Sequence, residues 1–312
     1  MRTARWALCR LPHCRMPHCH RGRITSQKQK DITGAAGLEK SALLPVTELE
    51  VRKAADTLGE DKAPGPDDLP AEVYKNLRAL HGPLAALFTL ILETGRIPGD
   101  MLQLLVVPLE KPEKPRSSCA AKRPISLICA VAKLLEVAVL HRILPAIEGQ
   151  LNPVQFAYRR ARGTEMLLAE LADFMTEHIA GGWYVYVSSL DLSGAFDTEP
   201  HLQLILALEG MGVDRRILQY VECWLRSRKF RVRPRTPMGS FKSKTHSIGR
   251  GLPQEGVLSP LLWLVFFNGL PARLAAFRAS PPTVFQGYPL RTSFMRMTSR
   301  RHLYARMHVR SQ

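Results

Sequence analysis

Asp191 lies where a carboxylate could hold a divalent cation. It directly follows the segment from Trp183 to Leu190, which is rich in Tyr and Val and is predicted to be a strand. A carboxylate at the end of a buried strand is held rigidly, as Mg²⁺ requires of its oxygen ligands. Because Ser193 and Gly194 come next, Asp191 could instead organise a turn. The segments around Asp191 decide between these two interpretations.

A second group of possible metal ligands lies near the amino-terminal end, at Cys9, His13, Cys14, His18, Cys19 and His20. Their spacing differs from that of structural zinc sites, in which two close pairs of ligands lie a dozen or so residues apart. The Arg-rich, acid-free start also resembles a mitochondrial presequence, although prolines interrupt an amphipathic helix there. We expect residues 1–44 to be a basic, disordered leader, with zinc binding and mitochondrial targeting as alternatives.

Composition and charge limit the classes of function. The chain has 312 residues, of which 46% are hydrophobic, with six Cys and a net charge of +17. This apolar content is enough for a sizeable core, and no apolar run reaches the roughly 18 residues of a membrane span. We therefore expect no membrane partner. The scattered Cys favour an intracellular location, in the cytoplasm or nucleus. Since the excess charge is concentrated at the two ends, basicity alone does not establish a nucleic-acid partner.

Helices and strands alternate along the chain without a fixed repeat, which indicates an α/β or α+β fold. The predicted elements are a capped helix over Thr47–Leu58, helices over 70–95, a strand over Leu104–Leu109, and a long helix that follows Arg123–Leu127 and ends near Gly149. After the strand before Asp191 come a helix from Pro200 to near Gly210, a helix capped by Asp214, a hairpin strand over Phe230–Arg233 and a last helix over Leu258–Phe267.

Five motifs follow one another in a fixed order. They are Lys62-Ala-Pro-Gly-Pro-Asp67, Arg123-Pro-Ile-Ser-Leu127, Gln155-Phe-Ala-Tyr-Arg159, Asp191-Leu-Ser-Gly-Ala-Phe-Asp197 and Gly251-Leu-Pro-Gln-Glu-Gly-Val-Leu-Ser-Pro260. In this order they resemble the successive motifs of reverse transcriptases of LINE-type (non-LTR) retrotransposons. The resemblance covers roughly residues 45–274. It implies the α+β fold of the fingers and part of the palm of a right-hand polymerase, with the C-terminal part of the palm and the thumb missing.

The resemblance also implies roles for individual residues. Asp191 would be a catalytic carboxylate and metal ligand, with the backbone carbonyl of Leu192 beside it. The incoming nucleotide would be contacted by Lys111, Arg123, Phe196, Pro253, Gln254 and Gly256. The implied chemistry is nucleotidyl transfer with Mg²⁺, which involves an RNA template, a DNA primer and a deoxynucleoside triphosphate. Phe196 as a core residue and Lys111 as a solvated loop charge remain the structural alternatives.

The sequence departs from the family in its acidic residues. The family places two adjacent aspartates in a Tyr-Ala-Asp-Asp hairpin after the Gly251–Pro260 motif, whereas Glu255 is the last acidic residue here. Glu255 itself stands where the family usually has Gly or Ser. Because one aspartate cannot position two divalent cations, we expect the chain to be catalytically inactive. An alternative is a non-catalytic nucleic-acid-binding or scaffold protein that uses its basic ends; another is activity through complementation by a second chain.

The genetic code suggests a reason for the absence of the two aspartates. Codons compatible with Phe294–Thr298 can encode Tyr-Ala-Asp-Asp in a shifted frame. We therefore hypothesise a frameshift between about Leu274 and Arg291. Residues 45–274 would then be an incomplete fingers and palm domain, and residues 275–312 a basic, disordered tail. A palm sheet without that hairpin would expose a hydrogen-bonding edge, which predicts poor solubility or dependence on a partner.

Overall fold

The computed structural model describes residues 44–110, 122–182, 184–190, 196–233, 235–236, 239–240, 242–277 and 303–309. Predictions for residues 1–43 and for Lys111, Asp191 and Leu192 lie outside these ranges. The helices are α1 Glu48–Thr57, α2 Ala71–Asn76, α3 His81–Thr94, α4 Ala130–Ile147, α5 Thr164–Ala180, α6 His201–Gly210, α7 Arg215–Arg226, α8 Ser259–Phe267 and α9 Leu270–Phe277. The strands are β1 Gln103–Glu110, β2 Lys122–Ile128, β3 Tyr184–Leu190, β4 Lys229–Val232, β5 Arg235–Thr236, β6 Gly239–Ser240, β7 His246–Ser247 and β8 Leu303–Val309.

The predicted capping box begins α1. The Thr47 hydroxyl accepts a hydrogen bond from the amide of Glu50 at 3.2 Å, and the Glu50 carboxylate accepts one from the amide of Thr47 at 2.7 Å. Arg142 of α4 forms an ion pair with the same carboxylate at 3.0 Å. Despite the burial of Glu50, hydrogen bonds from Thr47 and Arg142 hold the pKa of its carboxyl below the ordinary value. The start of α1 is therefore fixed both locally and against α4.

The main core lies between the helices. Fully buried apolar side chains come from α1, α3, α4, α6, α7 and α8, and include Val51, Phe88, Leu134, Leu204, Val221 and Leu262. Helix α4 is buried over most of its circumference, as expected for a helix that is apolar on nearly every side. No helix in the described ranges has the length and apolar content needed to cross a bilayer.

A four-stranded mixed sheet packs against this core in the order β2-β1-β4-β7. Strand β1 pairs antiparallel with β2 and parallel with β4, and β4 pairs antiparallel with β7. Because successive side chains of a strand point to opposite faces, the register sorts residues into two sets. One face carries Leu104, Val106, Pro124, Ser126 and Phe230, and the other carries Gln103, Leu105, Arg123, Lys229 and Arg231.

The segment Arg123–Leu127 leads into a long helix, α4, as predicted, but the segment itself forms most of β2, which was not predicted. Its pairing partner is β1, with Val106 opposite Ser126 and Pro108 opposite Pro124. Proline is tolerated here because β2 is an edge strand and Pro108 lies beyond the residues of β1 that pair with β4. The predicted strand over Leu104–Leu109 and the hairpin between Phe230 and Ser247 are confirmed.

The predicted strand before Asp191 is confirmed as β3. It pairs antiparallel with β8 along its whole length, from Tyr184 opposite Val309 to Leu190 opposite Leu303. Strand β8 lies within residues 275–312, and the basic, disordered tail predicted there stays a prediction. Leu303–Val309 alternates apolar and polar residues with the period of a strand.

Candidate functional site

The segment from Gly251 to Gly256 forms a loop that is fixed at its start by the residues before α6. The amide of Gly251 donates to the Glu199 carbonyl at 2.8 Å, and the amide of Leu252 donates to the Phe196 carbonyl at 2.6 Å. Gly251 has φ +82, and a Cβ atom there would lie 2.7 Å from the Phe196 carbonyl oxygen. Only glycine satisfies both requirements at this position. The loop and the Phe196–Glu199 segment therefore form one unit.

The other end of the loop is closed by hydrogen bonds to Pro253. The Ser259 hydroxyl donates to the Pro253 carbonyl at 2.7 Å, and the Gly256 amide donates to the same oxygen at 3.2 Å. A Cβ atom on Gly256 would lie 2.6 Å from the Ser259 hydroxyl oxygen. Between them, Glu255 is exposed and has φ +79, a backbone conformation that favours glycine. The departure from the family at Glu255 thus falls on a strained position.

An apolar cavity of about 190 Å³ lies between this loop, Phe196 and the sheet. The amide of Ser126 donates to the Gln254 carbonyl at 3.2 Å, which joins the loop to the free edge of β2. The cavity is lined on one side by Phe196, Asp197, Arg250, Gly251, Leu252, Pro253 and Gln254, and on the other by Leu104, Val106, Pro124, Ser126, Phe230 and Ile248. Phe196 is half-buried, with its ring centroid 5.4 Å from that of Trp263.

A buried carboxylate, Glu136 of α4, binds the two residues that follow the loop. One of its oxygens accepts hydrogen bonds from the amides of Val257 at 2.7 Å and Leu258 at 3.4 Å. The other accepts from the Trp224 indole at 2.7 Å and from the Arg228 guanidinium. The Glu136 and Arg228 side chains are 0% and 1% exposed, so this is a fully desolvated ion pair. Glu136 therefore joins α4, the carboxyl-terminal end of α7 and the residues just before α8.

The Arg228 guanidinium lies against an aromatic face as well as a carboxylate. Its central carbon is 3.9 Å from the Trp224 ring centroid, a cation–π contact. The buried Nε and Nη1 atoms have no hydrogen-bond partner in the described part of the chain. In the same core, burial raises the pKa of Tyr220 well above its ordinary value.

His201, the first residue of α6, contacts the first residue of the loop. Its Nε2–H donates to the Gly251 carbonyl at 2.9 Å, and the side chain is buried. Burial lowers the pKa of His201, and the hydrogen bond to Gly251 opposes that shift. The neutral imidazole is thus the form that the folded protein favours.

The predicted site residues divide into three sets. Phe196, Pro253 and Gln254 line the same cavity, and Gly256 closes the loop behind it. Arg123 is exposed and belongs to the opposite face of the sheet by register, so the structure does not bring it to this cavity. Asp191, Leu192 and Lys111 lie outside the described residues.

Glu136, Trp224 and Arg228 were missed at the sequence level. The signal available was a lone carboxylate in the apolar stretch of α4 from Leu134 to Leu140. Such a residue predicts a buried polar contact, but sequence does not reveal its partner. In the described residues, no three His, Cys, Asp or Glu side chains come together as a metal site.

Comparison with known proteins gives the same assignment from an independent direction. The family model for reverse transcriptase (RNA-dependent DNA polymerase) matches residues 110–285. The chain is 29% identical to the RNA-directed DNA polymerase from mobile element jockey of Drosophila melanogaster, and 30% identical to that of Drosophila funebris. Each alignment covers 73% of this chain and 25% of the relative. The Pol polyprotein from type-1 retrotransposable element R2 of Popillia japonica is 30% identical over 51% of this chain and 21% of its own length.

The chain thus spans about a quarter of the length of the jockey polymerases that it matches. The family match covers more than half of the chain and includes β2, the Phe196 segment and the whole Gly251–Pro260 motif. This chain belongs to the reverse transcriptase family and is a reverse transcriptase domain of the non-LTR retrotransposon type.

Proposed function

We propose that this chain contains the fingers and part of the palm of an RNA-directed DNA polymerase and does not polymerise by itself. The observation that carries the proposal is the fixed loop from Gly251 to Gly256, which forms a cavity with Phe196 and the sheet. In this proposal Phe196, Pro253 and Gln254 border the incoming deoxynucleoside triphosphate. The RNA template and DNA primer are the proposed partners, and an intracellular location is proposed with them.

The proposed metal ligands are Asp191 and Leu192. Reverse transcriptases generally use divalent metal ions, typically Mg²⁺, which supplies a Lewis acid for phosphoryl transfer when bound. The described residues around the cavity contribute one carboxylate, Asp197, and it is exposed. Mg²⁺ is usually held by one or two carboxylates together with waters and substrate phosphates, so the single carboxylate among the described residues does not supply ligands for the two ions of nucleotidyl transfer.

Primer extension tests the proposal. The full chain is incubated with a primed RNA template, the four deoxynucleoside triphosphates and Mg²⁺ or Mn²⁺, beside an Asp191→Asn variant. We expect no extended primer from either protein. Extension by the unmodified chain that is lost in Asp191→Asn would show an active polymerase and overturn the proposed inactivity.

A non-catalytic nucleic-acid-binding protein is the second candidate function. It is favoured by the net charge of +17, of which sixteen positive charges lie in residues 1–30 and 256–312. Electrostatic binding of this kind weakens steeply with salt. Full retention of RNA affinity after removal of residues 1–30 would contradict a role for the amino-terminal charges.

A further inference from the structure

The outer face of the four-stranded sheet carries a second cleft, separate from the loop cavity. Its volume is about 500 Å³, and three cationic side chains line it, Lys229, Arg231 and Lys242. Asp100 is the acidic residue of its lining within the described residues. We call it the basic cleft.

The fold brings these cations together. Lys229 and Arg231 are both exposed and project from the same face of β4, about 6.6 Å apart along the strand. Parallel pairing places Gln103 and the buried Leu105 beside them, which gives the cleft a floor. Lys242 comes from the segment that leads into β7.

Arg231 is oriented by a neutral partner. Its Nε–H donates to the Thr245 hydroxyl at 2.9 Å, so the rest of the guanidinium keeps its donors for another group. Across the described ranges, none of the three cations of the basic cleft takes part in an ion pair. Three like charges around one concave surface repel each other, and a bound polyanion removes that repulsion.

The wall of the basic cleft is rigid. It is formed at one side by Pro66 of the Lys62–Asp67 motif, which has no role in the loop cavity. A Cβ atom on Gly65 would lie 2.4 Å from the backbone nitrogen and Cα of Cys129, so the motif lies directly against the end of β2. The Asp68 amide donates to the Gly65 carbonyl at 3.1 Å and closes the turn. The motif thus has a physical function as a pre-formed side of the cleft.

We propose that the basic cleft binds the phosphodiester backbone of a nucleic-acid strand. The inference rests on the proposed function and adds to it a place where the strand is held. The spacing of about 6.6 Å between Lys229 and Arg231 is close to the axial rise of two nucleotides, about 6.8 Å in one strand of a duplex. Backbone contacts of this type fix the position of a strand without reading its bases. An acidic peptide would also satisfy the charge; the membership of the chain in the reverse transcriptase family is what favours a nucleic-acid strand as the occupant.

The test compares two triple variants of the full chain. Lys229→Gln with Arg231→Gln and Lys242→Gln removes the charges of the basic cleft. Arg52→Gln with Lys53→Gln and Arg78→Gln removes the same number of exposed charges from α1 and the turn before α3, which do not line the cleft. Binding of a fluorescein-labelled oligouridylate is measured by anisotropy over a series of salt concentrations. Circular dichroism confirms that both variants are folded.

We expect the cleft variant to bind roughly 100-fold more weakly near 0.1 M salt, and its log Kd against log salt slope to fall by about 2. The control variant should change both quantities much less. Equal losses in the two variants would overturn the assignment of the cleft while leaving nucleic-acid binding by the chain intact. Absence of oligouridylate binding by the unmodified chain would overturn the proposed nucleic-acid partner and the cleft together. If polyglutamate bound the basic cleft as tightly as oligouridylate does, the assignment of a nucleic-acid strand as its ligand would be overturned.

Discussion

At the residue scale, the loop of the candidate site depends on two buried titratable side chains that bind the residues at its two ends. Glu136 accepts the amides of Val257 and Leu258, and His201 donates to the Gly251 carbonyl. Neither side chain lines the loop cavity. Both side chains therefore hold the conformation of the loop, and their replacement is expected to change the free energy of unfolding.

Replacement of Glu136 should be strongly destabilising. Glu136→Ala leaves the Arg228 charge buried without its carboxylate, which is expected to lower the free energy of unfolding by about 3–5 kcal/mol. The measurement is urea denaturation followed by tryptophan fluorescence. Glu60→Ala is the matched control, because it removes an ion pair to Lys75 in which the Glu60 side chain is 67% exposed; its expected effect is about 1 kcal/mol or less.

A double variant separates the charge from the packing. Glu136→Met combined with Arg228→Met removes both buried charges and keeps apolar volume, so it should recover much of the stability lost in Glu136→Ala. A double variant as unstable as the single one would contradict the assignment of the loss to an uncompensated charge.

His201 gives the fold a pH dependence of known sign. Because the folded-state pKa is lowered by burial, the folded protein binds fewer protons than the unfolded chain. Its contribution to stability is complete above the unfolded pKa of about 6.5 and is lost as pH falls through the folded value. His201→Gln should flatten the pH dependence of the free energy of unfolding below about pH 6.5. An unchanged pH profile in this variant would contradict the interpretation.

At the element scale, the predictions that succeeded rest on local signals. The capping box of α1 and the Asp214 cap of α7 involve residues two or three apart, and both are present. Strand β2 was missed because Arg123–Leu127 contains a proline and gains its hydrogen bonds from β1, which is distant in sequence. The contacts of Glu136 with Arg228 and Val257 span 92 and 121 residues, so no local pattern contains them. The motifs identified the loop and Phe196, but the sheet register was needed to place Arg123.

Gly251 is a position in the loop at which glycine is required. Gly251→Ala places a Cβ atom 2.7 Å from the Phe196 carbonyl in a left-handed backbone, so we expect a loss of about 2–3 kcal/mol or more in the free energy of unfolding. Gly249→Ala is the control two residues earlier, where a Cβ atom meets nothing within 4 Å. Urea denaturation of both variants measures the difference. Similar stability of the two would show that the loop adjusts without strain.

At Glu255, in the same loop, replacement by glycine should be stabilising. Its φ of +79 is unfavourable for a residue with a Cβ atom, so Glu255→Gly should raise the free energy of unfolding by up to about 1 kcal/mol. Thermal denaturation measures the change. A lower stability of this variant would show that the Glu255 side chain makes a favourable contribution that outweighs its backbone strain.

At the scale of the whole molecule, the chain joins a family fold to a sequence that lacks acidic residues after Glu255. The frameshift hypothesis accounts for that composition and makes a prediction about the coding DNA. In the shifted frame, the codons across Phe294–Thr298 should include GCG-GAT-GAC, which encodes Ala-Asp-Asp. Sequencing of residues 270–312 in the gene decides the matter, since any other triplets at these positions remove the hypothesis.

A second chain could restore activity only by supplying the missing Tyr-Ala-Asp-Asp hairpin, and strand β8 would compete with that hairpin for β3. Every residue of β3 from Tyr184 to Leu190 already has a partner in β8. A hairpin supplied in trans to that edge would have to displace the chain's own carboxyl-terminal segment, which is tethered and therefore present at a high effective concentration. Rescue would then behave as a competition, so shortening the chain before Leu303 should lower the amount of donor required.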